Sequence, residues 1–180
     1  MKRNRKIILV AHCLLNINAK VYGIAEEKGG SGLVGELIQR GYGIIQLPCI
    51  EMAMYGVQRW GVIYEQSDFP GFRNKCKELL IPIVEQVADY SKHEYEITAV
   101  IGADYSPTCG VNIIPVGSCG GEFNEYNNYQ KSIDEIEIKN GKGIMMEELD
   151  KLLKEYEIST QFLAVDETNL SSYHELLDRL

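Results

Sequence analysis

The sequence predicts an α/β protein: a three-layer α/β/α sandwich built on a mainly parallel, Rossmann-like sheet of about four strands. Three observations carry this. Four short apolar runs alternate with longer stretches of helical period. Three of those runs end in a loop that begins with, or soon reaches, a cysteine, as the loops at the carboxyl edge of a parallel sheet would. The chain has 180 residues, 45% hydrophobic and 24% charged, which suits one α/β domain over residues 1–180.

Taken in order, Lys6-Ile7-Ile8-Leu9-Val10 reads as the first strand. A loop through Cys13 and a Gly-rich stretch follow, with Ser31 as candidate cap for a helix over 32–40 whose apolar face is Leu33, Val34, Leu37 and Ile38. Gly41 stands where a helix C-terminus favours glycine. Residues 43–47 form the second strand, closing a right-handed β-α-β crossover. The segment after Cys49 has no clear period and reads as a long connection of the kind that carries function. A helix begins near Phe69 and presents Cys76, Leu80, Ile83, Val84 and Val87 on one face, with Pro82 predicting a kink or two abutting helices. The third strand spans 96–101. Residues 111–130, rich in Gly and Asn, read as an excursion with a short hairpin, carrying Cys119. An amphipathic helix over 143–156, a fourth strand at Gln161–Val165 and a short helix over 171–180 complete the chain.

Composition excludes several classes of function. A net charge of −8 argues against an extended basic surface for nucleic acid and favours a small-molecule substrate. No run is long enough to span a bilayer. The basic start, Met1 to Lys6, precedes only a short apolar run and no cleavage site, so the sequence predicts a cytoplasmic protein. Five dispersed cysteines make a poor disulfide framework and fit reduced thiols, some of them metal ligands.

The chemistry gathers in three stretches: Cys13-Leu14-Leu15-Asn16 after the first strand, Pro48-Cys49-Ile50-Glu51 after the second, and Ser106-Pro107-Thr108-Cys109-Gly110 after the third. A lone cysteine is often a small buried hydrophobe. Three, each following a strand, point to a shared site, and three thiolates suit an iron–sulfur cluster or zinc. Three protein ligands also leave a metal position open to substrate.

These stretches resemble the three signature motifs of the thiouracil desulfurase family over about the first two-thirds of the chain. The resemblance implies a [4Fe-4S] cluster held by Cys13, Cys49 and Cys109, with the remaining iron taking sulfur from a thiolated nucleobase. It implies that Glu51 handles protons and that Ser106 hydrogen-bonds substrate or bound sulfur. The chain departs from the family at Ala19, where many members carry a second cysteine, and at Asn16, often glycine there. Beside this, Asn16, Asn18 and Arg59 are candidate substrate contacts. Tyr55, Arg59 and Trp60 form a candidate aromatic and cationic lid, with plain packing the alternative for Trp60. Glu51 is a candidate acid whose proton affinity rises in a desolvated site, or a helix-start carboxylate in water. Cys119 is a candidate fourth ligand, sulfur acceptor or unligated thiol. Cys76 reads as structural, His12 as facing the site or packed, and His93 and His174 as solvated. The expected activity is sulfur removal from a small thiocarbonyl compound; the alternative is a non-catalytic iron–sulfur or zinc protein that carries or senses sulfur or metal.

Overall fold

The computed structural model describes residues 3–24, 32–118, 120, 126–169 and 171–180. Four parallel strands, β1 (Lys6–Val10), β2 (Gly43–Gln46), β3 (Glu96–Ala103) and β6 (Gln161–Val165), form a central sheet in the order β2-β1-β3-β6. Strand order reverses direction between β1 and β3, so the sheet has a topological switch point there. Every pairing is parallel, with Leu9 opposite Ile45 on one side and Val100 on the other. The central strands are almost wholly buried, as strands covered on both faces must be.

Helices cover the sheet in two groups. The long helix α5 (Pro70–Lys92) packs against α7 (Ile144–Glu155). On α2 (Gly32–Gln39) and its exit, the Arg40 guanidinium donates to the Leu177 carbonyl at 2.6 Å. The Tyr42 hydroxyl donates to the Leu180 carbonyl at 3.0 Å, and these two bonds tie α2 to α8 (Ser171–Asp178). The architecture is the predicted three-layer sandwich, and one hydrophobic core runs through it from Ile7 to Leu177.

Gly41 adopts φ +84°, and the amide of Tyr42 reaches back to the Leu37 carbonyl at 3.1 Å, so the predicted glycine stop is in place. Pro82 does not divide its helix: α5 runs unbroken for 23 residues. Pro82 and Glu78, whose carbonyl loses its helical partner to the proline, both lie exposed, on the solvent side of the helix. The predicted hairpin region contributes a two-stranded antiparallel ribbon, but its partner strand is further along than expected: β4 (Ile113–Val116) pairs with β5 (Glu137–Asn140) across α6 (Tyr126–Asp134). The cap expected of Ser31 and every role considered for Cys119 lie outside the described residues.

Candidate functional site

All four parallel strands deliver side chains to one cavity at their carboxyl edge. After β1 the chain turns into α1 (His12–Leu15), which carries Cys13. After β2, Cys49 stands at the N-cap of α3 (Ile50–Tyr55), and Glu51 lies in that helix's first turn. After β3, a tight turn carries Cys109. Cys13, Cys49, Glu51, Ser106, Thr108 and Cys109 line a common cavity of about 330 Å³. The three predicted ligand cysteines are therefore brought together, and all are free thiols.

The Cys109 turn is the most constrained part of the site. The Ser106 hydroxyl oxygen accepts the amides of Cys109 at 3.0 Å and Thr108 at 3.3 Å, and the Ser106 carbonyl accepts Gly110 N–H. One Asp104 carboxylate oxygen accepts the amides of Val111 at 3.1 Å and Asn112 at 2.9 Å. The turn's own carbonyls meet the start of α7: Ile144 N–H donates to Pro107 O, and the Met145 and Met146 amides donate to Thr108 O. Those amides have no partner within their helix, so the turn caps α7. Gly143 packs against it so closely that a Cβ there would lie 2.4 Å from the Thr108 carbonyl carbon. A Cβ on Gly102 would lie 2.2 Å from Cys109 O. Tyr105, at φ +63°, holds a left-handed conformation at the cavity wall, where its N–H donates to Ile113 O at 3.2 Å.

A buried polar chain joins the three cysteine-bearing segments. Arg59 Nε donates to Glu51 Oε2 at 3.0 Å, and Nη2 donates to the Ala19 carbonyl at 2.7 Å. The Thr108 hydroxyl donates to Glu51 Oε1 at 2.6 Å, and its oxygen lies 3.6 Å from the Cys109 sulfur. Ala19 belongs to the segment after Cys13, Glu51 to the helix after Cys49, and Thr108 to the Cys109 turn. Side chains of Arg59 and Glu51 are only 4% and 10% exposed, so this is an ion pair almost out of water.

Burial raises all three thiols. The Cys13 thiol is pushed up to about 12, chiefly by burial and then by Glu167, with Lys20 opposing. Cys109 is raised well above its ordinary range by burial and by the neighbouring Cys13 and Glu51. Cys49 moves in the same direction, against the Met52 and Glu51 amides and Arg59. Each sulfur thus stays protonated until a cation or cluster compensates its charge. The donor set fits a cluster: three soft sulfurs share one cavity. Among the described residues, no three His, Cys, Asp or Glu side chains gather closely enough to hold a single ion.

Other candidates lie elsewhere. Asn16 and Asn18 are exposed, bonded to each other at 3.2 Å, and are not among the cavity-lining residues. Asn16 also pairs with His12, whose other ring nitrogen contacts Gln46 at 2.6 Å, so His12 is packed beside the site and not part of its wall. Burial lowers the His12 pKa. Arg59 lines the cavity, yet its guanidinium is held by Glu51, Ala19 and Gly56. The expected lid does not form: Tyr55 packs on Phe72 at 5.9 Å, and Trp60 is 83% exposed, which also overturns the packing alternative. Glu51 is neither an isolated acid nor a solvated one, because the ion pair with Arg59 meets its burial. Cys76 is fully buried in the core, and His93 and His174 are exposed, as expected. Sequence reasoning missed Lys20 and Glu167, an ion pair on the cavity wall. Glu167 follows β6 as the cysteines follow the other strands, and that shared position was the available signal.

No family model matches the chain. The uncharacterized protein MJ0003 of Methanocaldococcus jannaschii is 37% identical over 110 residues, which span 61% of this chain and 70% of that protein. The chain belongs to the MJ0003 family. Among solved structures, the [4Fe-4S]-dependent thiouracil desulfidase TudS superposes with a TM-score of 0.51, covering 97% of this chain and 99% of that one. Identity there is 16%, so the likeness to TudS is one of fold. Among the described residues no helix is long and apolar enough to cross a membrane.

Proposed function

We propose that this protein is a [4Fe-4S]-dependent desulfurase acting on a small thiocarbonyl compound such as a thiolated pyrimidine, in the cytoplasm where its thiols stay reduced. The observation that carries this reading is the convergence of Cys13, Cys49 and Cys109 on one cavity that also holds Glu51. The fold shared with TudS supports it.

In this reading the three thiolates hold the cluster. Bound there, the cluster supplies a thiophilic Lewis acid, an iron without a protein ligand, toward the C=S sulfur. The net change replaces sulfur by oxygen: water adds its oxygen to the carbon, and sulfur leaves as sulfide with the protons water gives up. Glu51, paired with Arg59, is the proton acceptor at hand, and the Thr108 hydroxyl between Glu51 and Cys109 keeps it aimed at the turn. Ser106 fixes the Cys109 amide, and its hydroxyl lies 3.2 Å from the Thr108 hydroxyl oxygen, which can accept its proton while Thr108 donates to Glu51.

Anaerobic reconstitution with iron and sulfide tests the proposal. A full site holds ~4 iron and ~4 sulfide per chain and colours the protein brown. Sulfide release from 2-thiouracil, with uracil as the other product, is expected of wild type and absent from Cys109→Ala. Cluster loading without turnover on any thiocarbonyl compound would favour a carrier or sensor instead.

A further inference from the structure

We propose that the Lys20–Glu167 ion pair is the recognition edge of the cavity, reading a ring N–H beside a ring C=O. This rests on the desulfurase reading above and names the residues that would orient its substrate.

The two residues come from different places. Lys20 follows the short 3-10 turn Ile17–Ala19 after β1, and Glu167 lies two residues beyond the end of β6. In the sheet those strands are separated by β3, so the pair closes over the carboxyl edge between them. Both line the cavity, and the Lys20 side chain is 10% exposed, against 28% for Glu167. An ion pair withdrawn from water contributes little net stability, so folding alone is a weak reason for it. Among the described residues their contact engages Nζ and Oε1. An ammonium has three protons and a carboxylate two oxygens, so the pair still offers a donor and an acceptor side by side. That arrangement matches an acceptor carbonyl beside an N–H donor.

The other charged groups of the wall are committed elsewhere. Arg59 and Glu51 hold each other, and Asp104 holds the amides of the Cys109 turn. Size points the same way. A cavity of about 330 Å³ lies near the small end of the ligand-pocket range.

The test is a calorimetric titration of uracil and of 1,3-dimethyluracil, in which both ring N–H groups beside a carbonyl are blocked. It uses reconstituted and metal-free protein, as wild type, Lys20→Met, Glu167→Ala and the double variant, each checked for an unchanged thermal midpoint. Glu167→Gln, which keeps an acceptor, serves as the conservative variant. Wild type is expected to prefer uracil by about tenfold or more, the loss of a charge-assisted bond. The double variant should bind both rings within about threefold, and Glu167→Gln should retain part of the preference. Equal binding of the two rings by wild type, or a preference untouched in every variant, would overturn the proposal. Sulfide release measured alongside separates the two readings. A preference that disappears in the variants, in a protein that releases no sulfide, upholds the edge and sinks the desulfurase. Release with no preference does the reverse.

Discussion

Arg59 shows how much one side chain can hold. It is the cation for a carboxylate with almost no water around it, and it also donates to the Ala19 carbonyl. Removing one member of a buried pair is far costlier than the pair is worth, because the other charge is left stranded. Arg59→Met should therefore destabilise the metal-free protein by about 3–5 kcal/mol in urea denaturation at neutral pH. The double variant with Glu51→Gln should recover most of that, since no unpaired charge remains. An unshifted midpoint in the single variant would contradict the buried-pair description. Cys76 gives a second test at this scale. It is fully buried on α5, and burial, followed by Glu148, pushes its thiol up to about 12 from an ordinary 9.0. Between those values the unfolded chain has released the proton that the folded chain retains. Stability from this residue is thus complete below pH 9 and lost as pH climbs toward 12, at about 1.4 kcal/mol per pH unit. Cys76→Ala should cost about 1–3 kcal/mol near pH 7. The gap between wild type and variant should close as denaturation curves are collected above pH 9; a gap independent of pH would refute the buried thiol's linkage.

At the scale of elements, the decisive contact is the one between the Cys109 turn and the start of α7. The turn's carbonyls cap the helix, and Gly143 allows the approach. Gly143→Ala should push Thr108 and Cys109 out of place, cost about 1–3 kcal/mol or more, and reduce iron uptake on reconstitution. Iron content equal to wild type would show that the turn tolerates the shift. This contact was not legible in the sequence, because it joins residues 107–110 to 143–146 through backbone atoms, whose partners no residue pattern encodes. The strands were legible, since each is an apolar run with turn residues at its ends, and β1 and β6 have the expected limits. The β4–β5 ribbon was half legible: β4 falls in the expected hairpin region, but β5 reads Glu137-Ile138-Lys139-Asn140, with all four residues exposed and no buried apolar face to mark it. Asn16, Asn18 and Trp60 misled because exposed polar and aromatic residues near a motif look alike whether they face a cavity or water. Arg59 was found as a site residue but for the wrong partner, since its carboxylate lies eight positions back in a segment of no clear period.

Across the whole molecule, the sheet places loops that are far apart in sequence along one edge. The cavity draws on residues 13, 49, 109 and 167, one from each parallel strand. The ligand set proposed here comes from the first three, which flank both sides of the switch point between β1 and β3. A group bound by those thiols cross-links three segments that separate when the chain unfolds, so it binds the folded state far better than the unfolded one. Loading must then raise stability by mass action, about 2.7 kcal/mol at a hundredfold excess over the dissociation constant. For a chain of this size that is a rise of roughly 5–10 °C in thermal midpoint. Anaerobic differential scanning of metal-free and reconstituted protein should show this rise in wild type. Cys109→Ala should show little of it, because two thiols bridge fewer segments. Cys76→Ala should keep all of it, since that thiol is buried in the core away from the cavity. A rise equal in wild type and Cys109→Ala would mean that the bound metal sits elsewhere, and the convergence of the three loops would then serve some other chemistry.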